Sequence, residues 1–139
     1  QAVIHRSSYS PSSSLRVMAE THKRLYPYTR GGRDEMVSMR RLDDLPELNP
    51  DDLEKEILVK IDVQGCEDKV IQGAERFLTR TKVMIVEVSF IPLYEEQPLF
   101  ADIYKMLTNL GFAYAGAIHQ KRHKENGRVI AEDAVFIRP

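Results

Sequence analysis

Residues 57–88 constrain the fold more than any other part of the sequence, because strand and helix patterns alternate there. Residues 57–61 (ILVKI) are a short apolar run rich in β-branched side chains, which predicts a strand buried on both faces. Residues 67–80 repeat apolar side chains at helical spacing and predict an amphipathic helix, and residues 83–88 (VMIVEV) predict a second buried strand. Strand, helix and strand over about 30 residues indicate a βαβ unit with parallel strands and a right-handed crossover.

The residues after this unit predict a helix and an antiparallel pair of strands. In chain order the pattern indicates a helix over 99–110 that Gly111 ends in a left-handed conformation, a strand over 112–118, a polar loop over 119–126 (HQKRHKEN) and a last strand over 134–137. Asn126-Gly127 is a turn signal within the polar stretch. We therefore expect residues 35–139 to form an α/β core.

The first third of the chain has a much weaker pattern. Serines around Pro11 indicate a loop, and the patterns that follow predict a short helix over 15–25, a turn-rich connection over 26–33, a strand over 36–42 and a short helix from Asn49 to about Glu56. We expect residues 1–34 to be loop-rich and weakly structured. The length of 139 residues fits a single domain.

Charge and composition argue against several classes of protein. The net charge of −1 comes from 20 basic and 21 acidic residues, and a general nucleic-acid binder needs a basic excess. No apolar run is long enough for a transmembrane helix, so we expect no membrane partner. A single cysteine, Cys66, cannot form an internal disulfide, which favours a reducing compartment, the cytoplasm.

Two carboxylates follow the predicted parallel strands. Ligands of open α/β sheets bind beyond the carboxyl ends of the strands, where Asp62 follows the first strand and Glu87 lies near the end of the second. A carboxylate there can accept hydrogen bonds from a ligand, hold a cation or take a proton. Asp62 can equally cap a helix or pair with a base. Glu87 ends an apolar run, where a charge is costly unless it is paired.

Other reactive side chains have structural interpretations. Cys66 has no base next to it in the sequence, so we expect a packed thiol. His119 and His123 are four residues apart, but the cations of Lys121, Arg122 and Lys124 oppose a metal ion there, so we expect no metal site. The same segment is a solvated loop or a lid over an anionic substrate.

A longer pattern resembles a known family. Residues 58–78 (LVKIDVQGCEDKVIQGAERFL), followed by VMIVEVS, resemble the signature of the FkbM family of S-adenosylmethionine-dependent methyltransferases: K-I-D-V-E-G-x-E, a helix containing G-A, then E-V. Residues 41–45 (RLDDL) and 12–15 (SSSL) are similar to two further family segments. The motifs are specific in combination, although each alone is weak. Gln64 departs from the family, which usually has Glu there.

The resemblance implies a fold and a site. The fold is the C-terminal half of a Rossmann-like methyltransferase sheet, with parallel strands and an antiparallel strand pair at the C-terminal end. Asp62 and Glu87 would be the catalytic residues, and Gly65, Glu67, Ser13 and Ser14 would line the substrate cleft. The implied cofactor is S-adenosylmethionine, but no Gly-rich turn follows a predicted strand, since the one Gly pair is Gly31-Gly32. We therefore assign no cofactor-binding residue.

The sequence leaves three hypotheses about function. The first is methyl transfer from S-adenosylmethionine to an oxygen, less readily a nitrogen, of a small molecule or sugar, as part of a longer enzyme. The second is a non-catalytic α/β module that associates but lacks the cofactor half. The third is a carboxylate metal site at Asp62 and Glu87 that supports hydrolysis. Because the innermost strand would be an unpaired edge, we also expect a dimer, a strand exchange or a disordered N-terminal third.

Overall fold

The computed structural model describes residues 1–53 and 56–139. The strands are β1 (Ala2–Ser7), β2 (Gly32–Val37), β3 (Ile57–Ile61), β4 (Thr81–Ser89), β5 (Ala113–Arg122) and β6 (Val129–Ile137). The α-helices are α1 (Glu20–Leu25), α2 (Glu67–Gln72) and α3 (Phe100–Asn109). Short 3-10 helices cover Ser10–Ser12, Pro27–Thr29, Leu42–Asp44, Pro46–Leu48, Pro50–Asp52 and Phe77–Arg80.

The main sheet has four strands in the order β3-β4-β6-β5. Strand β3 is parallel to β4, and β6 is antiparallel to both β4 and β5. The predicted α/β class, with a parallel pair and a C-terminal antiparallel pair, is confirmed. The predicted βαβ unit is present, since α2 connects β3 to β4.

Strand β3 is buried on one face only, so the prediction of burial on both faces is wrong. Its side chains alternate, with Leu58 and Lys60 exposed and Ile61 buried. The reason is the position of the strand, because β3 lies at the edge of the sheet and pairs with β4 alone among the described strands. An apolar run of five residues does not distinguish an edge strand from a central one.

The predicted helix over 67–80 is broken after Gln72. A second, 3-10 segment follows at Phe77–Arg80. The Asp43 carboxylate lies between the segments and accepts hydrogen bonds from the backbone N–H groups of Arg76 (3.1 Å) and Phe77 (2.9 Å). The predicted apolar stripe is nevertheless buried at Ile71, Ala74 and Leu78. Periodicity thus identified the packed face correctly, whereas a distant side chain caps the second segment.

The polar stretch 119–126 is not entirely a loop, because β5 extends through Arg122. The strand continues by backbone pairing with β6, as in His119 opposite Asp133 and Lys121 opposite Ala131. These side chains are exposed at the sheet edge, where polar residues are tolerated. The hydropathy of the stretch therefore hid the strand. The predicted turn at Asn126-Gly127 is present, with Gly127 at φ 69°.

The first third of the chain contains more regular structure than we expected. Strands β1 and β2 form an antiparallel pair, which carries a hydrogen bond between His5 and Asp34 (2.7 Å) and an ion pair between Arg6 and Glu35 (3.1 Å). These cross-strand pairs stabilise the two strands without alternating apolar side chains. Neither strand was predicted with these bounds, because the prediction depended on that alternation.

Element boundaries differ here as well. The predicted helix over 15–25 is present only over Glu20–Leu25, and the strand predicted over 36–42 is found at Gly32–Val37 instead. The helix predicted from Asn49 is a 3-10 turn over Pro50–Asp52. Its remaining span includes residues 54 and 55, which lie outside the described residues.

Two apolar clusters position the strand ends. The main core packs α2 and α3 against one face of the sheet, with Met84, Val86, Ile103, Leu107 and Phe136 fully buried. A second cluster joins Leu93, Tyr94, Ile130 and Ala131 to the first third of the chain through Met18 and Leu25. Helix α3 ends before Gly111, whose φ of 86° is left-handed as predicted. In the part of the chain that the structure describes, no helix has the length and apolar character to cross a membrane.

Candidate functional site

A cleft of about 410 Å³ lies at the carboxyl ends of β3 and β4. Asp62 and Gln64 follow β3, and Glu87 lies near the carboxyl end of β4. Because the two strands are parallel, their carboxyl ends lie at the same edge of the sheet. The opposite wall comes from the first third of the chain. The residues on that wall are aromatic or small: Tyr9, Pro11, Ser12, His22, Tyr26 and Tyr28.

One amide joins the two carboxylates that the sequence singled out. Gln64 Nε2 donates to Asp62 Oδ1 (2.7 Å) and to Glu87 Oε2 (2.9 Å). Gln64 adopts a left-handed backbone conformation with φ 55°, which turns its side chain across the strand ends. The structure thus places Asp62 and Glu87 in one site, on either side of a neutral donor.

The orientation of the Gln64 amide is set by its other end. The single proton of the Tyr94 hydroxyl is shared between two acceptors, Gln64 Oε1 (3.0 Å) and the Ser12 carbonyl oxygen (3.0 Å). The Ser14 hydroxyl donates to the Gln64 carbonyl oxygen (2.6 Å). Burial and then the Glu87 charge raise the pKa of Tyr94, so it remains a protonated donor. With Oε1 held by a donor, Nε2 must face the carboxylates.

Glu87 forms an ion pair with Lys121 from the end of β5. Burial alone would lower the pKa of Lys121, but the hydrogen bond and charge of Glu87 raise it overall, so the ammonium stays charged. Glu87 is only 13% exposed and has a partner on each oxygen. This resolves the problem of an acidic residue in an apolar run.

Asp62 is the more accessible carboxylate. Its side chain is 36% exposed, and its second oxygen has only a long contact of 3.4 Å with Lys60 Nζ. One Asp62 oxygen therefore remains available to a ligand in the cleft. The two acids differ in chemistry because Glu87 is neutralised in place, whereas Asp62 can accept a further hydrogen bond or a proton.

Glu67 and Gly65 support the site from beneath the loop. The buried Glu67 carboxylate accepts hydrogen bonds from the N–H groups of Val63 (3.3 Å) and Gly65 (3.1 Å). Burial raises the pKa of Glu67, although these backbone N–H groups oppose the shift. Gly65 has φ 96°, and a Cβ atom there would lie 3.1 Å from the Tyr94 ring. Both residues shape the Asp62–Gln64 loop and neither is among the residues lining the cleft.

Ser13 and Ser14 line a neighbouring cavity instead. Ser13 Oγ accepts the N–H of Ser7 (3.1 Å), and Ser14 Oγ accepts the N–H of Arg16 (2.9 Å). Together with Cys66 they face a largely apolar cavity of about 620 Å³ beside β1, β2 and α2. From the serine stretch it is Ser12 that lines the carboxylate cleft. The Cys66 thiol is buried, and burial raises its pKa, which fits the expected packed thiol.

The aromatic wall was not predicted from the sequence. His22 on α1 is buried and contacts Tyr26 and Tyr94 edge-on, with ring centroids 5.2 and 5.1 Å apart. Burial, and then the charge of Lys121, lower the pKa of His22 to about 4. The imidazole is therefore neutral at ordinary pH. The sequence signal that could have indicated this wall is the group of aromatic side chains within residues 22–28.

The donors around the carboxylates do not suit a metal ion. Gln64 Nε2 and Lys121 Nζ occupy oxygens of Asp62 and Glu87 that a hard cation would need. Among residues 1–53 and 56–139, no group of three His, Cys, Asp or Glu side chains could hold a metal. His119 is on an exposed strand, and His123 Nδ1 accepts a backbone N–H from Glu125 (3.3 Å).

A family model identifies the kind of domain that carries this site. The model of the methyltransferase FkbM domain matches residues 2–114, which include every residue of the cleft described above except Lys121. No curated protein and no solved structure matches the chain. Because the matched residues make up most of the 139, the chain belongs to the FkbM methyltransferase domain family.

Proposed function

We propose that the chain transfers a methyl group from S-adenosylmethionine to a hydroxyl oxygen of a small molecule or sugar, as part of a longer enzyme. Membership of the family supports methyl transfer in general. The single observation that carries the rest is the pair of Asp62 and Glu87, joined by Gln64 in a cleft at the strand ends. A paired and an available carboxylate suit an acceptor that must be oriented and must lose a proton.

The residues of the cleft fit the methyl-bearing end of this donor. Its sulfur is cationic, and carboxylates and tyrosine rings are groups that stabilise a cation. Asp62 supplies the carboxylate that Lys121 does not hold. The rings come from Tyr9, Tyr26 and Tyr28. When bound here, S-adenosylmethionine would supply its methyl group for an in-line displacement, in which a C–O bond to the acceptor would form as the C–S bond broke and S-adenosylhomocysteine would leave.

Asp62 is the residue we assign to the acceptor hydroxyl. The available oxygen of Asp62 can accept the hydroxyl proton while the acceptor oxygen bonds to the methyl carbon. The methylated product then carries no charge on that oxygen. Because Asp62 is fixed by Gln64 Nε2 at 2.7 Å, the accepting oxygen keeps one direction. Catalysis of this type depends mainly on positioning, with the proton acceptor contributing about 10²–10⁴-fold.

Glu87, Lys121 and Gln64 are positioning residues in this scheme. The Lys121 ammonium balances the Glu87 charge. Asp62 has only the 3.4 Å contact with Lys60 Nζ on its second oxygen and is the more accessible carboxylate of the cleft. The Gln64 amide and the Lys121 ammonium each hold one oxygen of Glu87. Asp62 is then the carboxylate to which we assign the proton of the acceptor hydroxyl.

Calorimetric titration of the chain with S-adenosylmethionine and with S-adenosylhomocysteine tests the donor. Micromolar binding would support a donor site in this chain. No heat at millimolar ligand, from a chain shown to be folded by circular dichroism, would contradict donor binding by these residues alone. In that case activity would have to be sought in a longer protein.

A variant pair tests the role of Asp62. We expect Asp62→Asn to lower the rate of methyl transfer by about 10²-fold or more with little change in acceptor KM, because the amide cannot take a proton. Asp44→Asn changes an exposed carboxylate outside the cleft and is the matched control. Equal rates for Asp62→Asn and the parent chain would rule out Asp62 as the proton acceptor.

The second candidate is a non-catalytic module that associates with another chain. The observation in its favour is the edge strand β3, where Leu58 is 60% exposed. An exposed apolar edge can pair with another strand. Donor binding distinguishes the two candidates, because a module without a cofactor half would associate without binding S-adenosylmethionine.

A further inference from the structure

A second polar cleft, of about 540 Å³, adjoins the carboxylate cleft. Tyr26 lines both, so one aromatic ring separates them. The volume lies in the range of small-molecule sites. Its polar lining is mainly basic and comes from α1, the end of β5 and the turn that follows, so we call it the basic cleft. The basic residues are Arg24, Arg122, His123 and Lys124.

The cations of this cleft are not used in ion pairs. Among the residues the structure describes, no carboxylate pairs with Arg24, Arg122 or Lys124. Arg122 is held by neutral acceptors only, the Gly127 carbonyl oxygen (2.9 Å) and the Gln120 side-chain oxygen. A guanidinium fixed in this way keeps its charge and its remaining N–H donors for another anion.

The local charge contrasts with the chain as a whole. Three cationic side chains face one carboxylate, Glu125, in the lining, although the net charge of the protein is −1. Such a concentration of positive charge in a concave surface attracts anions. The floor of the cleft is apolar, formed by Leu25, Ile91 and Ile130. A ligand with an anionic group on a compact apolar or sugar body matches both properties.

Strand β5 connects the two clefts. Lys121 pairs with Glu87 in the first cleft, while Arg122, the next residue, lines the second. The pairing of β5 with β6 is irregular between these two residues, and an irregularity of this kind re-aims neighbouring side chains. Consecutive residues of β5 therefore line adjacent clefts.

We propose that the basic cleft binds a compact oxyanion, a phosphate or a carboxylate, of the methyl acceptor, whose hydroxyl lies in the neighbouring carboxylate cleft. The substrate class is thus an acid-bearing alcohol or sugar. The identification of the ligand as the methyl acceptor rests on the proposed function. The anion site itself is inferred from the geometry of the basic cleft alone. Charge of opposite sign at the two ends would fix the direction in which the acceptor binds.

Nuclear magnetic resonance titration of the ¹⁵N-labelled chain tests the site without turnover. The probes are glucose 6-phosphate, glucuronate and glucose, at constant ionic strength because screening changes surface attraction. We expect one or both anionic probes to shift the amide signals of Tyr26 and residues 122–125 in a saturable way, with glucose having no effect. The phosphate and carboxylate arms identify which oxyanion is preferred. Equal effects from glucose, or no saturable shift with either anion, would overturn the proposal.

Two variants locate the binding. Arg122→Gln and Lys124→Gln should each weaken binding of the preferred anion by about five- to tenfold, because each removes a charge-assisted contact. Lys124 makes no side-chain hydrogen bond or ion pair in the described structure, so its substitution keeps the test valid if Arg122→Gln disturbs the turn. Lys105→Gln, an exposed lysine of α3 outside both linings, is the control. Unchanged affinity in both cleft variants would contradict the site.

Failure of this inference and failure of the proposed function give different results. Anion binding at the cleft without methyl transfer to any acceptor would contradict the proposed function alone. Methyl transfer to glucose at the same kcat/KM as to glucose 6-phosphate and glucuronate, unaffected by Lys124→Gln, would contradict the acid-bearing substrate alone.

Discussion

Gln64 organises the carboxylate pair through both ends of its amide. Nε2 donates to Asp62 and Glu87 while Oε1 accepts from Tyr94. The loop after β3, strand β4 and the segment after β4 therefore meet at one side chain. The family usually has Glu at this position, and a carboxylate could not donate to the two acids. The departure from the family pattern is therefore a change in the hydrogen-bond chemistry of the site.

We predict that Gln64→Glu lowers the free energy of unfolding by about 1–2 kcal/mol at pH 8, because two donated hydrogen bonds are lost and three carboxylates converge. Like charges raise the carboxyl pKa in the folded state, so protonation favours folding and the loss should shrink as the pH falls to 5. Urea unfolding at both pH values measures the difference. Gln72→Glu, at an exposed position, is the control, and an equal loss at both pH values would contradict the prediction.

His22 makes stability depend on pH in a defined window. Its pKa of about 4 in the folded chain lies below the ordinary value of 6.5, so the unfolded chain binds more protons between these values. The stabilisation is complete above pH 6.5 and is lost as the pH falls through 4. We predict a loss of about 1–3 kcal/mol in the free energy of unfolding between pH 7 and pH 4 from this residue.

Substitution isolates the His22 contribution. His22→Phe keeps an aromatic ring between Tyr26 and Tyr94 but removes the titrating group, so its stability should fall less between pH 7 and pH 4. His119→Gln controls for the loss of an exposed histidine. If His22→Phe shows the same pH dependence as the parent chain, burial of His22 is not the cause.

The Asp43 side chain caps the short helical segment that follows α2. This side chain is 6% exposed and satisfies two backbone N–H groups at the start of the second helical segment. We predict that Asp43→Ala lowers the free energy of unfolding by about 1–2 kcal/mol, as expected for removal of a cap. Thermal and urea unfolding against Asp44→Ala, the exposed neighbour, measures the effect. Similar stability of the two variants would show that the cap is dispensable.

Strand β5 illustrates why polar edge strands are hidden in a sequence. Residues 119–122 carry charged or polar side chains, yet they are held by backbone hydrogen bonds to β6. Through this pairing Lys121 reaches Glu87 and Arg122 reaches the basic cleft. The functional contribution of β5 therefore depends on its partner strand and not on its own hydropathy.

At the scale of the whole molecule, the edge of β3 is the feature most suited to association. Leu58 is 60% exposed on this strand, and Ile118 is 67% exposed on β5 at the opposite edge. We predict that the chain self-associates through β3, and that Leu58→Lys shifts it to monomer while Ile118→Lys does not. Sedimentation velocity over a hundredfold concentration range measures this. A monomer at every concentration, or dissociation by Ile118→Lys alone, would contradict the prediction.

Local sequence signals were sufficient to predict several elements of the fold. The βαβ unit, helix α3 with its Gly111 end and the antiparallel strands follow from apolar periodicity and turn residues, as does the position of Asp62 and Glu87 at strand ends. The family, too, was evident from motif order, and the family model confirms it. These features can be predicted from short stretches of sequence because each depends on residues only a few positions apart.

The way in which these elements form a site depends on contacts between residues that are far apart in the chain. Asp43 reaches Phe77, Tyr94 reaches Ser12 and Lys121 reaches Glu87, each across more than 30 residues of chain. Such contacts cap the segment after α2, orient Gln64 and neutralise one of the two carboxylates. Hydropathy contains no information about them, because a polar side chain has the same pattern whether water or a distant residue satisfies it. The chemistry of the cleft is therefore a property of long-range packing.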